Sequence, residues 1–174
     1  MSTPVSTLIS EAMAGKIGAE VSRRVSFPVS ASDIRKWAMA VYYPKHPPRR
    51  YWDAEYVDRE LGGRWVAPHE FNPFAWMTAD PPGFPEVDRL DPDLVEKTLG
   101  IAGPGLRFQL NGGLDVEYHG DVVAGDVITA VRVLDGYTER SGRLGQMLFT
   151  TNRETWTNQR GEIVQVRRQT GIRY

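Results

Sequence analysis

The 174-residue chain contains no cysteine. That excludes disulfides, thiolate nucleophiles and cysteine-built zinc sites, and it fits a reducing compartment, so a cytoplasmic protein is expected. Histidine is scarce: His46, His69 and His119 are the only three. The acidic pairs Asp88/Asp91 and Asp93/Glu96 have no histidine at ligand spacing, so no metal site is expected. No apolar run approaches the ~20 residues that span a bilayer. The opening MSTPVSTLISEAMAGK has neither a basic leader nor an unbroken apolar stretch, so it reads as no secretory signal and no membrane association is expected. Excess charge is missing too: 21 basic and 22 acidic residues are interspersed for a net charge of -1, which leaves no field to gather nucleic acid. Neither a GxxxxGK[ST] phosphate loop nor a Gly-x-Ser-x-Gly elbow occurs.

With 41% apolar residues the chain can bury a proper core, and it reads as one domain over 1–174, with 1–16 able to form an N-terminal helical extension. Val5, Leu8, Ile9 and Ala12 share one face of that extension. A clearer helix starts at Ser30, where Ser30 and Asp33 suit a capping box, and buries Ile34, Trp37, Ala38 and Val41. Pro44, Pro47 and Pro48 end it near Tyr43. Asp53 caps a short helix through Leu61 that stops at Gly62-Gly63. Asn72 and Pro73 open a helix through Phe74, Ala75, Trp76 and Met77, with no wet face. Residues 79–90 read as loop, and Asp91-Pro92 opens a short helix that ends at Gly100.

From residue 106 the pattern turns to strands, near 106–119, 126–137, 143–157 and 162–172. Turns fall at Asp135-Gly136, Ser141-Gly142 and Asn158-Gln159-Arg160-Gly161. Helices followed by a consecutive antiparallel meander define an α+β domain. Gly112 and Gly113 stand inside the first of these strands, where glycine weakens order unless the backbone has a reason to be bare. Two readings are open: a bulge, or a thin ligand lying against the strand.

Four segments run in a fixed order: IRKWAMAVY at 34–42, VAPHEFNPFAW at 66–76, LNGGLDVEYHGDVVAGD at 110–126 and MLFTTNRETWTNQRGEIV at 147–164. In these the chain resembles the MaoC-like acyl dehydratase family, in its N-terminal, fatty-acid-synthase-like dehydratase branch, from about residue 17 to the last. The resemblance implies a hot dog fold, a curved antiparallel sheet wrapped around a central apolar helix near 70–79. It further implies a dimer or paired domain joined edge to edge, with an acyl chain on a pantetheine arm threaded between the halves. The chemistry it implies is reversible hydration of a 2-enoyl thioester to a 3-hydroxyacyl thioester, in which a base activates water and an N–H donor polarises the carbonyl. No cofactor is implied beyond the coenzyme A or acyl carrier protein that carries the substrate.

Active members of that family hold their proton-transferring pair in a segment of the form Asp-x-Asn-Pro-x-His. This chain reads Val41-Tyr42-Tyr43-Pro44-Lys45-His46 there, so the histidine is kept and the Asp and Asn are not. An alternative alignment on Trp52-Asp53-Ala54-Glu55-Tyr56 leaves no histidine in register. The candidate catalytic residues are His46, with Asp53 or Glu55 as an acidic partner, and His69, which precedes the apolar segment where the family often carries His-Gly and this chain carries Glu70. Glu70, Phe71, Trp76, Gly112 and Gly113 are the candidate substrate contacts. His119 reads as a turn residue. Trp37, Trp52, Trp65 and Phe74 suit either a tunnel wall or the core, and Arg49, Arg50, Arg167 and Arg168 either grip phosphates or are solvated.

The reading is therefore a subunit that provides substrate tunnel and interface while a homologous partner carrying Asp-x-Asn-Pro-x-His provides the acid–base pair. Two alternatives are an active homodimer with a rearranged pair and a non-enzymatic acyl-binding module. A hot dog thioesterase is the weaker third, because residues 71–78 offer no carboxylate for the central helix.

Overall fold

The computed structural model describes residues 7–75, 77, 91–143 and 145–174. Its frame is a five-stranded antiparallel sheet in the order β1-β3-β4-β5-β2. The strands are β1 Glu20–Val25, β2 Gln109–Tyr118, β3 Thr129–Gly142, β4 Gly145–Thr157 and β5 Ile163–Arg173. The helices are α1 Glu11–Ala14, α2 Ala31–Tyr42, α3 Ala54–Leu61 and α4 Leu94–Thr98.

Local chemistry accounts for the helix ends. Ser30 accepts from the Asp33 amide at 3.0 Å and donates to the Asp33 carboxylate at 2.8 Å, which satisfies α2 at its start. Asp53 accepts from the Tyr56 amide at 3.0 Å, and Gly62 closes α3 in the left-handed conformation. On α2, Ile34 and Ala38 are fully buried, but Val41 is half exposed, a departure from the expected stripe. In the last turn it is Tyr42, one position on, that packs against the core cluster and the Tyr51 ring, in place of Val41.

The meander differs from expectation in two places. Asp135-Gly136 is not a hairpin turn: β3 continues to Gly142, and the extra residue is absorbed as a register shift between Leu134 and Gly136. The chain reverses instead between Gly142 and Gly145, at the Ser141-Gly142 signal. The second difference is β1, absent from the sequence reading; its run EVSRRV carries too much charge to show an alternating pattern, and it forms an edge strand on β3.

The expected apolar helix is only partly within view. Residues Pro73–Ala75 form a turn rather than a helix, because Asn72 accepts from the Phe74 amide and the Ala75 and Met77 amides bond three residues back. Trp76 and residues 78–90 lie outside the described residues. Phe74 packs with Ile128, Ala130, Trp156 and Val164 at one end of the sheet's inner face. At the other end, Val95 and Leu99 of α4 join Met13, Leu134, Tyr137 and Leu148, and Leu8 and Ile9 of the N-terminal segment pack beside them.

The α4 end is locked by a close approach at Gly103. A Cβ there would come within 2.3 Å of the Asp93 side chain. Gly103→Ala is expected to destabilise the fold by about 1–3 kcal/mol through forced displacement of Asp93. The midpoint of urea unfolding measures this, and an unchanged midpoint would show that the loop yields freely.

Candidate functional site

The segment from Trp65 to Asn72 crosses the end of the sheet and is tied to the 120s turn. Val66 bridges Val123, the Ala67 amide donates to the Val122 carbonyl at 2.8 Å, and the Ala124 amide donates to the Trp65 carbonyl at 2.9 Å. Asp126, 1% exposed, holds the turn from below by accepting from the Val123 amide at 2.9 Å. This tie delivers His69, Glu70 and Phe71 to the rim of a cavity of about 310 Å³. Trp37 of α2, Tyr118 of β2, Trp156 of β4 and Arg167 of β5 complete its walls.

Phe71 is 2% exposed and meets Trp37 edge to face at 5.7 Å. His69 is exposed and stacks on Tyr118 at 4.5 Å. Glu70 is exposed and has no hydrogen bond or ion pair among the described residues. The arrangement sets aromatic walls from Trp37, Phe71 and Trp156 beside buried polar groups of Gln165 and Arg167, with His69 and Glu70 at the mouth, a mainly aromatic pocket with a few placed polar groups.

Three of the sequence-predicted residues thus converge: His69, Glu70 and Phe71. His46 does not join them. It sits exposed in the loop after α2, with no hydrogen-bonding or ionic partner among the described residues. Asp53 is committed elsewhere, since it caps α3 and pairs with Arg49 at 2.6 Å, and these bonds hold its carboxyl below the usual range. Gly112 and Gly113 also lie apart from the cavity lining. Gly113, at φ 143°, sits at the register shift after Asn111, and a Cβ on Gly112 would meet Ile172 at 2.8 Å. A bulge and close packing on β5 account for both glycines. Trp76 lies outside the described residues.

His119 faces Glu117, which is held by Arg168. Arg50 lies over the Tyr51 ring. Tyr118, Trp156 and Gln165 were not foreseen as lining residues. The signal was there for Gln165 and Arg167, because the period of two on β5 puts them on one face and Arg168 on the other.

A second cavity, of about 630 Å³, adjoins the first and shares Leu114 and Arg167 with it. It lies over the middle of the inner face, between the Phe74 end and the α4 end. Its lining is polar, with Arg24, Arg132, Asn152, Glu154 and Gln169 prominent.

An antiparallel sheet in this order, with its inner face covered by helical and loop segments that frame a ligand-sized space, is the hot dog fold of an α+β protein. The family model for the FAS1-like dehydratase domain region matches residues 15–167, and the chain belongs to that family, with a fold shared by solved MaoC-like dehydratases. Among solved structures, the ChsH1-ChsH2 complex from Mycobacterium tuberculosis is similar with a TM-score of 0.65 and 21% identity, over 95% of this chain and 90% of that one. The HadBC 3R-hydroxyacyl-ACP dehydratase complex from the same organism gives 0.53 and 20%, over 90% and 99%. A MaoC-like dehydratase from Rhodospirillum rubrum gives 0.51 and 20%, over 91% and 92%. No curated protein matches the chain.

Proposed function

We propose that this chain is one subunit of a 2-enoyl-thioester hydratase or 3-hydroxyacyl-thioester dehydratase. It provides the substrate cavity and an interface, while a homologous hot dog subunit with an intact Asp-x-Asn-Pro-x-His segment provides the acid–base pair. The observation that carries this is a contrast within one molecule: a cavity is built at His69, Glu70 and Phe71, yet the loop at His46 assembles no acidic partner. A histidine without an orienting carboxylate lacks both a fixed tautomer and a second proton carrier.

The free edge of the sheet supports the same reading. β2 is the last strand, its outer edge is unpaired among the described residues, and Leu110, Leu114 and Tyr118 on it are all more than 40% exposed. An apolar, unpaired edge is a template for another strand, and native proteins seldom leave one open. Two of the similar solved structures are complexes, ChsH1-ChsH2 and HadBC. Coenzyme A or acyl carrier protein would bring the acyl group to the exposed mouth at His69 and Glu70, and no further cofactor enters the reaction.

In the assembled enzyme the partner's carboxylate and histidine activate water and return the proton. This chain's Phe71 and Trp37 wall the acyl group and exclude water from its flank. The test is the loss of enone absorbance of crotonyl-coenzyme A or a longer enoyl thioester. The chain alone is expected to be inert, and addition of a homologous subunit with the intact motif is expected to give turnover. Turnover by the purified chain alone would replace this reading with an active homodimer.

A further inference from the structure

The middle of the inner face, where a hot dog sheet is expected to be apolar, is charged. One rung across the sheet reads Ser22, Arg132, Glu154, Arg167 and Val116 from β1 to β2, and the next pairs Asn152 with Gln169. Among the described residues, three guanidiniums, those of Arg24, Arg132 and Arg167, line the second cavity with one carboxylate, Glu154. That carboxylate is already engaged by Arg24 at 2.9 Å and by the Trp156 indole N–H at 2.7 Å. Arg132 makes no hydrogen bond among the described residues, and burial lowers its pKa despite the nearby Glu154. The Arg167 Nε is buried without a partner among the described residues, its guanidinium lying over the Trp156 ring. Asn152 is 6% exposed, lines the cavity, and has no partner for its Oδ1 among the described residues.

Two cations in excess among the described lining residues, half withdrawn from water, are costly unless an anion completes them. Planar guanidiniums and a carboxamide suit an oxyanion, which can take two N–H donors side by side. A hydrocarbon tail placed here would strip water from the arginines and return nothing. The position fits a chain entering at His69, since along β5 the step from Gln165 of the first cavity to Arg167, which borders both, covers about 7 Å, the span of a six-carbon acyl group.

We propose that the second cavity binds a carboxylate at the far end of the acyl group, so that the substrate class is an enoyl thioester with an acidic terminus. This rests on the thioester reading above and deepens it. The phosphates of coenzyme A are the other source of oxyanions. The carrier stays at the exposed mouth, and its phosphates remain outside the inner cavity.

Calorimetric titration of the protein, in the assembly in which it purifies, with adipoyl-coenzyme A, hexanoyl-coenzyme A, free coenzyme A and free adipate separates the cases. Adipoyl-coenzyme A is expected to bind at least about tenfold more tightly than hexanoyl-coenzyme A, as a charge-assisted hydrogen-bond pair warrants. Arg132→Gln should erase that preference and leave hexanoyl-coenzyme A unchanged. Asn152→Asp, equal in size and opposite in charge effect, should do the same and serves if the arginine variant does not fold. Equal affinity for the two thioesters overturns the proposal and leaves the hydratase reading standing. A loss in Arg132→Gln as large for free coenzyme A as for adipoyl-coenzyme A also overturns it, by assigning the site to phosphate. Binding of free adipate that depends on Arg132, with no thioester bound, upholds the carboxylate site and removes the thioester reading. No binding of adipate or of either thioester overturns the site itself.

Discussion

Arg173→Met is expected to destabilise the protein by about 3–5 kcal/mol, the cost of breaking a buried ion pair from one side. Arg173 is 2% exposed and donates to the Pro92 carbonyl, Asp93, both oxygens of Glu96 and the Thr150 hydroxyl, all at 2.8–2.9 Å. Glu96, fully buried, also accepts from the Tyr137 hydroxyl at 2.7 Å. This network is the polar contact between α4 and β5, and its loss strands the Glu96 carboxylate in the core. Denaturant unfolding measures the loss, and a change below about 1 kcal/mol would mean that water reaches Glu96 readily. The triple variant Arg173→Met, Glu96→Leu and Asp93→Asn should recover much of the stability, because it removes all three charges of the network together.

The same network carries a pH signature. Burial alone raises the Glu96 carboxyl, but the hydrogen bonds from Arg173 and Tyr137 outweigh it, so the group sits below its ordinary value of 4.5. A carboxyl depressed in the folded state adds stability above its unfolded pKa, and that contribution is lost as pH falls through the folded value. Glu96→Gln should therefore flatten the acid limb of the stability profile below about pH 4.5, at a cost in stability near neutrality. Tyr137 is pushed upward by burial and by Glu96, so it remains a protonated donor across this range.

The second large effect concerns catalysis in the proposed assembly with a homologous subunit. Removing the partner's motif histidine or aspartate is expected to lower the hydration rate by about 10²–10⁴, the usual worth of positioned acid–base catalysis. His46→Ala should leave the rate and its pH profile unchanged, because His46 is exposed and Asp53, the nearest sequence candidate to orient it, is occupied by Arg49. His69→Ala, which unstacks Tyr118 at the mouth, should raise KM more than it lowers kcat. A collapse of rate in His46→Ala, with loss of one limb of the pH profile, would return the acid–base role to this chain.

How much of this was legible in the sequence follows the range of the forces involved. Helix ends at Ser30, Asp53 and Gly62 are decided within four residues by caps, and those readings hold in the structure. Strands β2 to β5 were legible from alternation and turn residues, and the four ordered segments identified the family. The missing Asp and Asn ahead of His46 were plain in the chain as well. β1 was not legible, because an edge strand made of Glu20, Arg23 and Arg24 is stabilised by its pairing with β3 and shows little hydrophobic pattern of its own. Asp135-Gly136 misled for a related reason: a local turn signal lost to the continuing β3–β4 ladder.

The site divides along the same line. That His69, Glu70 and Phe71 precede an apolar segment is written in the sequence, and so is the absence of cysteine. That Arg173 closes on Glu96, seventy-seven positions away, was decided by the docking of α4 on the sheet, and that Arg24, Arg132 and Arg167 share one cavity was decided by strand register. Charges from three separate strands become neighbours only when the sheet forms, and burial then determines which of them water can no longer satisfy.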